Sequence, residues 1–230
     1  MISFIVPAHD EAALIGDSLD ALHAAATALS LTYEVIVVDD ASTDDTAALA
    51  QLHGARVLHV AHRQIAAVRN AGAAVADGKR LVFVDADTRI DRDVLAAAMK
   101  ALDEGASGGG CAVQFVAASW SERAFAALLM RVFRWTRIAP GCFIFCTREA
   151  FDAAGCFDER WYAGEDVAIS RALAAVGKFV ILRESVVTSD RKLRTFGVIS
   201  HLHLLTQFIR NGRRVLHSRE HLGIWYDKRR

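Results

Sequence analysis

The sequence contains no C-x-x-C pair. Its four cysteines, Cys111, Cys142, Cys146 and Cys156, are scattered, and no histidine is spaced to join them. Neither a zinc site nor a disulfide framework is expected, and the cysteines read as small buried residues. A surplus of either charge is also missing: 27 Lys and Arg balance 27 Asp and Glu. The overall balance therefore offers nothing to a nucleic acid, and any basic patch must be local. No uninterrupted apolar run approaches the roughly 18 to 20 residues needed to cross a bilayer. The opening Met1-Ile2-Ser3-Phe4-Ile5-Val6-Pro7 has no basic leader, long apolar stretch or small-residue cleavage site, so a cytoplasmic protein is expected. Neither G-x-G-x-x-G nor G-x-x-x-x-G-K follows a strand candidate, which removes the dinucleotide and P-loop readings. There is no internal repeat and no low-complexity block.

What is present is ample apolar material. With 230 residues, 53% of them hydrophobic, the chain can bury a sizeable core as one large domain. Ile2–Val6, Tyr33–Val38, Arg56–Val60 and Leu81–Val84 are short apolar runs of strand character. Between them lie helical patterns: Glu11–Leu29 with Ile15, Leu19, Leu22, Ala26 and Leu29 along one stripe, a helix toward His53 opened by the turn residues 41–46, and the alanine-rich Gln64–Ala76. Strands alternating with helices predict an α/β fold, with parallel pairing, right-handed crossovers and half of a doubly wound sheet in the first hundred residues. After the helix Asp93–Leu102, the run Gly105-Ala106-Ser107-Gly108-Gly109-Gly110 is the most flexible-looking segment and reads as a turn between two halves of one domain, 1–105 and 106–230. The second half offers strands at Cys111–Val116, Cys142–Cys146 and Phe179–Leu182, and helices at Ser121–Arg137, Glu149–Ala153, Val167–Val176 and Phe196–Ile209 before a basic tail.

The chemistry concentrates at strand ends. Leu81-Val82-Phe83-Val84 stops at Asp85-Ala86-Asp87, and alternation along an extended chain would point both acids to one side, toward one cation. In an open α/β sheet the carboxyl end of the strands is where ligands bind. Tyr33–Val38 likewise runs into Asp39-Asp40, where an ionised carboxylate can accept the imide N–H of uracil or thymine. Gly164-Glu165-Asp166 opens a helix and places a carboxylate where it can take a hydroxyl proton. Each also has a plain reading as a helix cap or polar turn.

Several of these stretches together resemble one family. Val6-Pro7-Ala8-His9-Asp10-Glu11, Val37-Val38-Asp39-Asp40-Ala41-Ser42-Thr43-Asp44, Arg69-Asn70-Ala71-Gly72, Asp85-Ala86-Asp87 and Gly164-Glu165-Asp166 stand in the order and rough spacing of the family 2, GT-A-fold glycosyltransferases. The resemblance runs from Ile2 to about Gly177. It implies a Rossmann-like, mostly parallel sheet flanked by helices, with a mixed C-terminal half that binds the acceptor. It further implies transfer of a sugar from a nucleoside diphosphate donor, a UDP-sugar by the uracil argument, with inversion and with Mg²⁺ or Mn²⁺. Carried onto this chain, Asp40 is the base contact and Pro7, Ala8 and Glu11 frame the nucleoside. Asp87 is the metal ligand, and Asp85 meets the ribose or a metal-bound water. Arg69 pairs with Asp85 and holds it ionised, Asp166 is the general base, and Glu165 faces the acceptor or anchors its loop. The stretch Thr188-Ser189-Asp190-Arg191-Lys192 resembles a basic segment of some bacterial members, in which Arg191 and Lys192 would close over the diphosphate.

Two further expectations complete the reading. Ser121–Arg137 sets Phe125, Leu128, Val132 and Trp135 beside Arg123, Arg131 and Arg134; such a helix suits either the sheet or the inner membrane face, where a lipid-linked acceptor would be found. His201 and His203 are two apart on a helix and cannot both be ligands of one ion. The competing functions are a haloacid dehalogenase-like phosphohydrolase, since the strand ending in Asp85-Ala86-Asp87 also resembles the strand-then-D-x-D start of its nucleophile motif, and a non-catalytic nucleotide-sugar binder.

Overall fold

The computed structural model describes residues 1–115 and 138–188. The expected helices 121–137 and 196–209, the basic tail, and Arg191, Lys192, His201 and His203 lie outside the described residues.

The first half alternates as its periodicity requires: β1 (Ile2–Ala8), α1 (Ile15–Ala28), β2 (Tyr33–Asp40), α2 (Thr46–Leu52), β3 (Arg56–Val60), α3 (Ile65–Ala74) and β4 (Arg80–Val84). A two-residue strand β5 (Thr88–Arg89), helix α4 (Arg92–Asp103) and strand β6 (Ala106–Phe115) follow. After the undescribed stretch come β7 (Phe143–Thr147), α5 (Arg148–Ala153), α6 (Glu165–Val176) and β8 (Lys178–Thr188). One eight-stranded sheet takes all the strands among the described residues in the order β3-β2-β1-β4-β7-β6-β8-β5. β3, β2, β1 and β4 run parallel, and β7 enters antiparallel between β4 and β6.

Alternate residues on these strands feed two separate cores. Phe4, Val6, Val35, Val37, Val82 and Val84 pack on one face with α1 and α4. Ile5, Ile36, Val38, Leu81 and Phe83 pack on the other with α3, Phe151 and Phe157. Helix starts are local and chemical: the Gln64 side chain accepts from Ala67 N at 2.6 Å, Asp91 from Val94 N at 2.9 Å and Thr147 from Ala150 N at 3.1 Å, each satisfying an otherwise orphaned helical N–H.

Three expectations are corrected. The glycine-rich run is a turn only at Gly105, at φ +83°; from Ala106 it is strand, with Gly108–Gly110 inside the sheet. An added Cβ would come within 2.7 Å of the Phe145 carbonyl at Gly108 and within 2.3 Å of the Val180 carbonyl at Gly109. These glycines permit close packing; they do not confer flexibility. The last strand extends to Thr188, well beyond Leu182, because its end pairs with β6 and with β5. Helix α1 starts at Ile15, four residues after Glu11, whose N–H is held by Thr46 Oγ1 at 2.8 Å.

Strand order reverses between β1 and β4, since β2 and β3 lie to one side of β1 and β4 to the other. That is the switch point at which an open α/β sheet leaves a crevice beyond its strand ends.

Candidate active site

The exits of β1, β2 and β3 form a rigid rim on the first half of the crevice. Asp10, Ala41 and Arg63 have φ of 52°, 55° and 52°, a left-handed conformation that non-glycine residues adopt only when neighbours enforce it. The enforcing bonds are mutual. Asp10 N donates to Ser42 Oγ at 3.0 Å and Thr43 N to Asp10 Oδ1 at 2.7 Å; Ala12 N donates to Asp44 Oδ2 at 3.1 Å. From the third loop, Arg63 N donates to Asp40 Oδ1 at 3.0 Å, and its guanidinium donates to the Ala41 carbonyl at 3.2 Å and to His9 Nε2 at 2.7 Å. Because a guanidinium only donates, His9 accepts at Nε2 in this contact, and its buried Nδ1 has no partner among the described residues.

Both aspartates of Asp39-Asp40 belong to β2 and so face opposite sides of the sheet. Asp39 turns to the side of α1 and receives His59 Nδ1 at 3.1 Å. Asp40 turns to the side of α3 and the Arg63 loop. Pro7 and Ala8 close β1 between these aspartates and β4. Glu11 is nine-tenths buried, and its carbonyl accepts from Leu14 N and Ile15 N, both at 3.0 Å, to begin α1.

On the other side of the switch point, β4 ends at Val84, and residues 85–88 form a turn closed by Thr88 N to the Asp85 carbonyl at 3.0 Å. The alternation expected for Asp85 and Asp87 therefore does not apply, because the chain is no longer extended there. Asp85 points to Arg69 of α3, with Nη2 to Oδ1 at 2.9 Å. Asp87, nine-tenths buried, has the Thr188 hydroxyl 3.4 Å from its Oδ1, and Thr188 in turn accepts from Thr88 Oγ1 at 3.1 Å.

Arg69 is 2% exposed and carries a second ion pair, Nη1 to Glu165 Oε1 at 2.9 Å, and a bond from Nη2 to the Gly141 carbonyl at 2.8 Å. Burial alone would lower its pKa, but Asp85 and Glu165 hold it above its ordinary value. The amide of Gly141 donates to Asp166 Oδ2 at 3.1 Å. Burial, and then the adjacent Glu165 charge, push the Asp166 carboxyl up to about 7, against the opposing pull of Val167 N, Arg69 and Gly141 N. A carboxylate with that pKa is poised to accept a proton near neutrality. Val84 pairs with Phe143 across β4 and β7, so Gly141 and Asp166 stand level with Asp85 at the same end of the sheet. Asp40 and Asp85 leave strands two spacings apart, roughly 10 Å, a span suited to a nucleoside.

Among the described residues, no three His, Cys, Asp or Glu side chains gather into a metal cluster. The acids at the end of β4, Asp87 nine-tenths buried and Asp85 partly exposed, supply hard carboxylate oxygens. That donor set fits Mg²⁺ or Mn²⁺ with further oxygens contributed by a phosphate ligand, and it is too sparse for a closed all-protein site. No helix among the described residues is long and apolar enough to span a membrane.

His9, Arg63, Gly141 and Thr188 have no assigned role in the sequence reading. His9 and Thr188 lie within quoted motifs, so the signal for them was position. Arg63 and Gly141 are an ordinary turn cation and an ordinary Pro-Gly turn, and only tertiary contact marks them out.

Residues 3–154 match the family model described as glycosyl transferase family 2. No curated protein matches the chain by sequence. Among solved structures, the mannosyltransferase PcManGT from Pyrobaculum calidifontis, in complex with GDP-Man and Mn²⁺, superposes with a TM-score of 0.69 at 21% identity, over 94% of this chain and 62% of that one. The S. aureus TarS 1–349 fragment in complex with UDP gives 0.64 at 20% identity, over 82% and 60%. Glucosyl-3-phosphoglycerate synthase from Mycobacterium tuberculosis, in complex with Mn²⁺, UDP and glucosyl-3-phosphoglycerate, gives 0.62 at 20% identity, over 92% and 80%. The mixed sheet and its flanking helices are those of the GT-A fold. The chain thus spans about three-fifths of the first two of these structures.

Proposed function

This chain belongs to glycosyl transferase family 2, and from that premise we propose that it is an inverting glycosyltransferase. It moves a hexosyl or N-acetylhexosaminyl group from a UDP-sugar to an acceptor hydroxyl, with residues 1–105 binding the donor and the rest the acceptor. The observation that carries the reading is the backbone of Gly141: its N–H holds Asp166, and its carbonyl shares the Arg69 guanidinium with Asp85. A proton acceptor and a donor-side acid thereby sit on one short path at the strand ends.

The roles follow from chemistry. Asp40 has one carboxylate oxygen committed to Arg63 N; the other suits a single imide N–H, as in uracil, better than the paired N–H groups of guanine. The diphosphates of the relatives' ligands are UDP in two cases and GDP in one. Pro7, Ala8 and Glu11 line the nucleoside side of the crevice, and Asp85 faces the ribose. Asp87 would hold Mg²⁺ or Mn²⁺, which when bound neutralises charge on the diphosphate. Asp166 orients the acceptor hydroxyl and takes its proton as the oxygen bonds to the anomeric carbon. The bond from that carbon to the diphosphate oxygen breaks, and the diphosphate departs on the opposite face with the electron pair. Arg191 and Lys192 are assigned to the diphosphate, and a lipid-linked or small-molecule hydroxyl to the acceptor.

Asp166→Asn tests the reading. Turnover should fall by about 10²- to 10⁴-fold, while UDP affinity measured by calorimetry in Mn²⁺ stays near wild type. Undiminished turnover in that variant removes Asp166 as the base. The phosphohydrolase reading needs Asp85 as a free nucleophile, whereas its carboxylate is held by a buried guanidinium; the absence of phosphate release from an aryl phosphate is the expected result.

A further inference from the structure

Helix α3 sends three side chains across to the stretch 157–165. Gln64 Nε2 donates to the carbonyls of Glu159 and Trp161 at 3.2 and 2.8 Å. Asn70 donates to the Phe157 carbonyl at 2.9 Å and to Glu159 Oε1 at 2.8 Å, and accepts from Phe157 N at 3.0 Å. These two hold up a loop. Arg69 is different in kind, because its partners are functional groups on both sides of the crevice. Asp85 comes from the end of β4, Glu165 is the neighbour of Asp166, and the Gly141 carbonyl belongs to the residue whose N–H orients Asp166. The Phe157 ring lies 5.3 Å from the guanidinium and closes the remaining side.

We propose that Arg69 is a positioning residue that couples the donor side to the acceptor side, so that a ligand engaging Asp85 changes how firmly the Gly141 peptide holds Asp166. The proposal rests on the donor-site reading of Asp85 given above. The physical route is competition for one buried cation. Around it stand Asp85 from the β4 turn, Glu165 and Asp166 from α6, and the Gly141 carbonyl from the segment before β7. When Asp85 turns to a ribose hydroxyl, the guanidinium is left to Glu165 and Gly141. Gly141 is then held more tightly by its carbonyl, which steadies the neighbouring amide through the shared Cα, and the Glu165 charge beside Asp166 is better neutralised. Lysine has the charge but one compact ammonium head, and it cannot form this planar three-way bridge.

Amide hydrogen exchange at Gly141 reads the coupling without requiring an acceptor. UDP and GDP, each with Mn²⁺, serve as probes on the full chain in its wild-type, Arg69→Lys and Glu165→Gln forms. In the wild type the nucleotide that binds should slow Gly141 exchange by roughly tenfold or more, as expected when a local opening is suppressed. Arg69→Lys and Glu165→Gln should bind the same nucleotide yet show no slowing. Equal protection in the wild type and in either variant overturns the coupling, and so does nucleotide binding without protection in the wild type. Glu165→Gln is nearly isosteric and decides the matter even where Arg69→Lys does not fold. Failure of both nucleotides to bind the wild type is a separate outcome, which removes the donor-site reading and the coupling with it.

Discussion

The two sides of the crevice are built by different means. On the proposed donor side, three loops at the ends of β1, β2 and β3 are laced together by many bonds, several of them to main-chain N–H groups, and each loop is held by its neighbour. On the proposed acceptor side, the stretch 157–166 depends on three side chains of one helix, Gln64, Asn70 and the buried guanidinium of Arg69. A rim with redundant main-chain ties tolerates the loss of one of them. A segment hung on a few buried polar side chains does not, because each lost partner leaves a desolvated group behind. The difference predicts a graded set of outcomes.

The largest effect is expected where one cation serves three groups. Arg69→Met should cost about 3–5 kcal/mol, the range for removing one partner of a buried ion pair, read as a lower urea midpoint. A loss near that of a surface residue would refute the claim that the acceptor side hangs on Arg69. Asn70→Ala should come next at about 1–3 kcal/mol, since it orphans the main chain of Phe157. Ser42→Ala, which removes one of several ties on the donor rim, should cost under about 1 kcal/mol and leave UDP affinity almost unchanged. If Ser42→Ala proves as costly as Asn70→Ala, the contrast between the two sides collapses.

Asp166 sharpens the contrast through pH. Its folded pKa of about 7 lies above the ordinary 3.8, so the folded protein binds this proton more tightly than the unfolded chain does. The sign is therefore opposite to that of a salt-bridged acid: this group favours the fold at low pH, and its contribution declines as pH rises from about 4 to about 7. Asp166→Asn lacks the titration and should be more stable than the wild type at pH 8, with the gap narrowing toward pH 5 in paired thermal melts. The same pKa places the acid limb of turnover near pH 7, below which the rate should fall about tenfold per unit. A flat rate between pH 5 and 8 would show that no such group has to be ionised.

Much of this arrangement was readable before any coordinates. Short apolar runs, helically spaced stripes and turn residues located β1 through β4 and the helices between them, because a strand buried on both faces must be apolar throughout and a helix must bury one stripe. The acids were visible as breaks in apolar runs. Three matters were not readable. Gly108–Gly110 looked flexible because nothing local records that Phe145 and Val180 will press against them. Asp85 and Asp87 looked parallel in aim because the apolar run does not record that the chain leaves the extended state after Val84, in a turn closed by Thr88 N on the Asp85 carbonyl and followed by the pairing of β5 with β8. Gly141 carried no signal at all.

What the sequence determined alone is most of the elements, β5 and the full lengths of β6 and β8 apart, and their acidic ends, since periodicity, capping and turn chemistry act within a few residues of one another. Only the tertiary structure decided which carboxylate meets which cation. Arg69 joins Asp85, 16 residues away, to Glu165, 96 residues away. Its desolvation is tolerable only where the sheet has brought both acids to it, and no local pattern encodes that meeting.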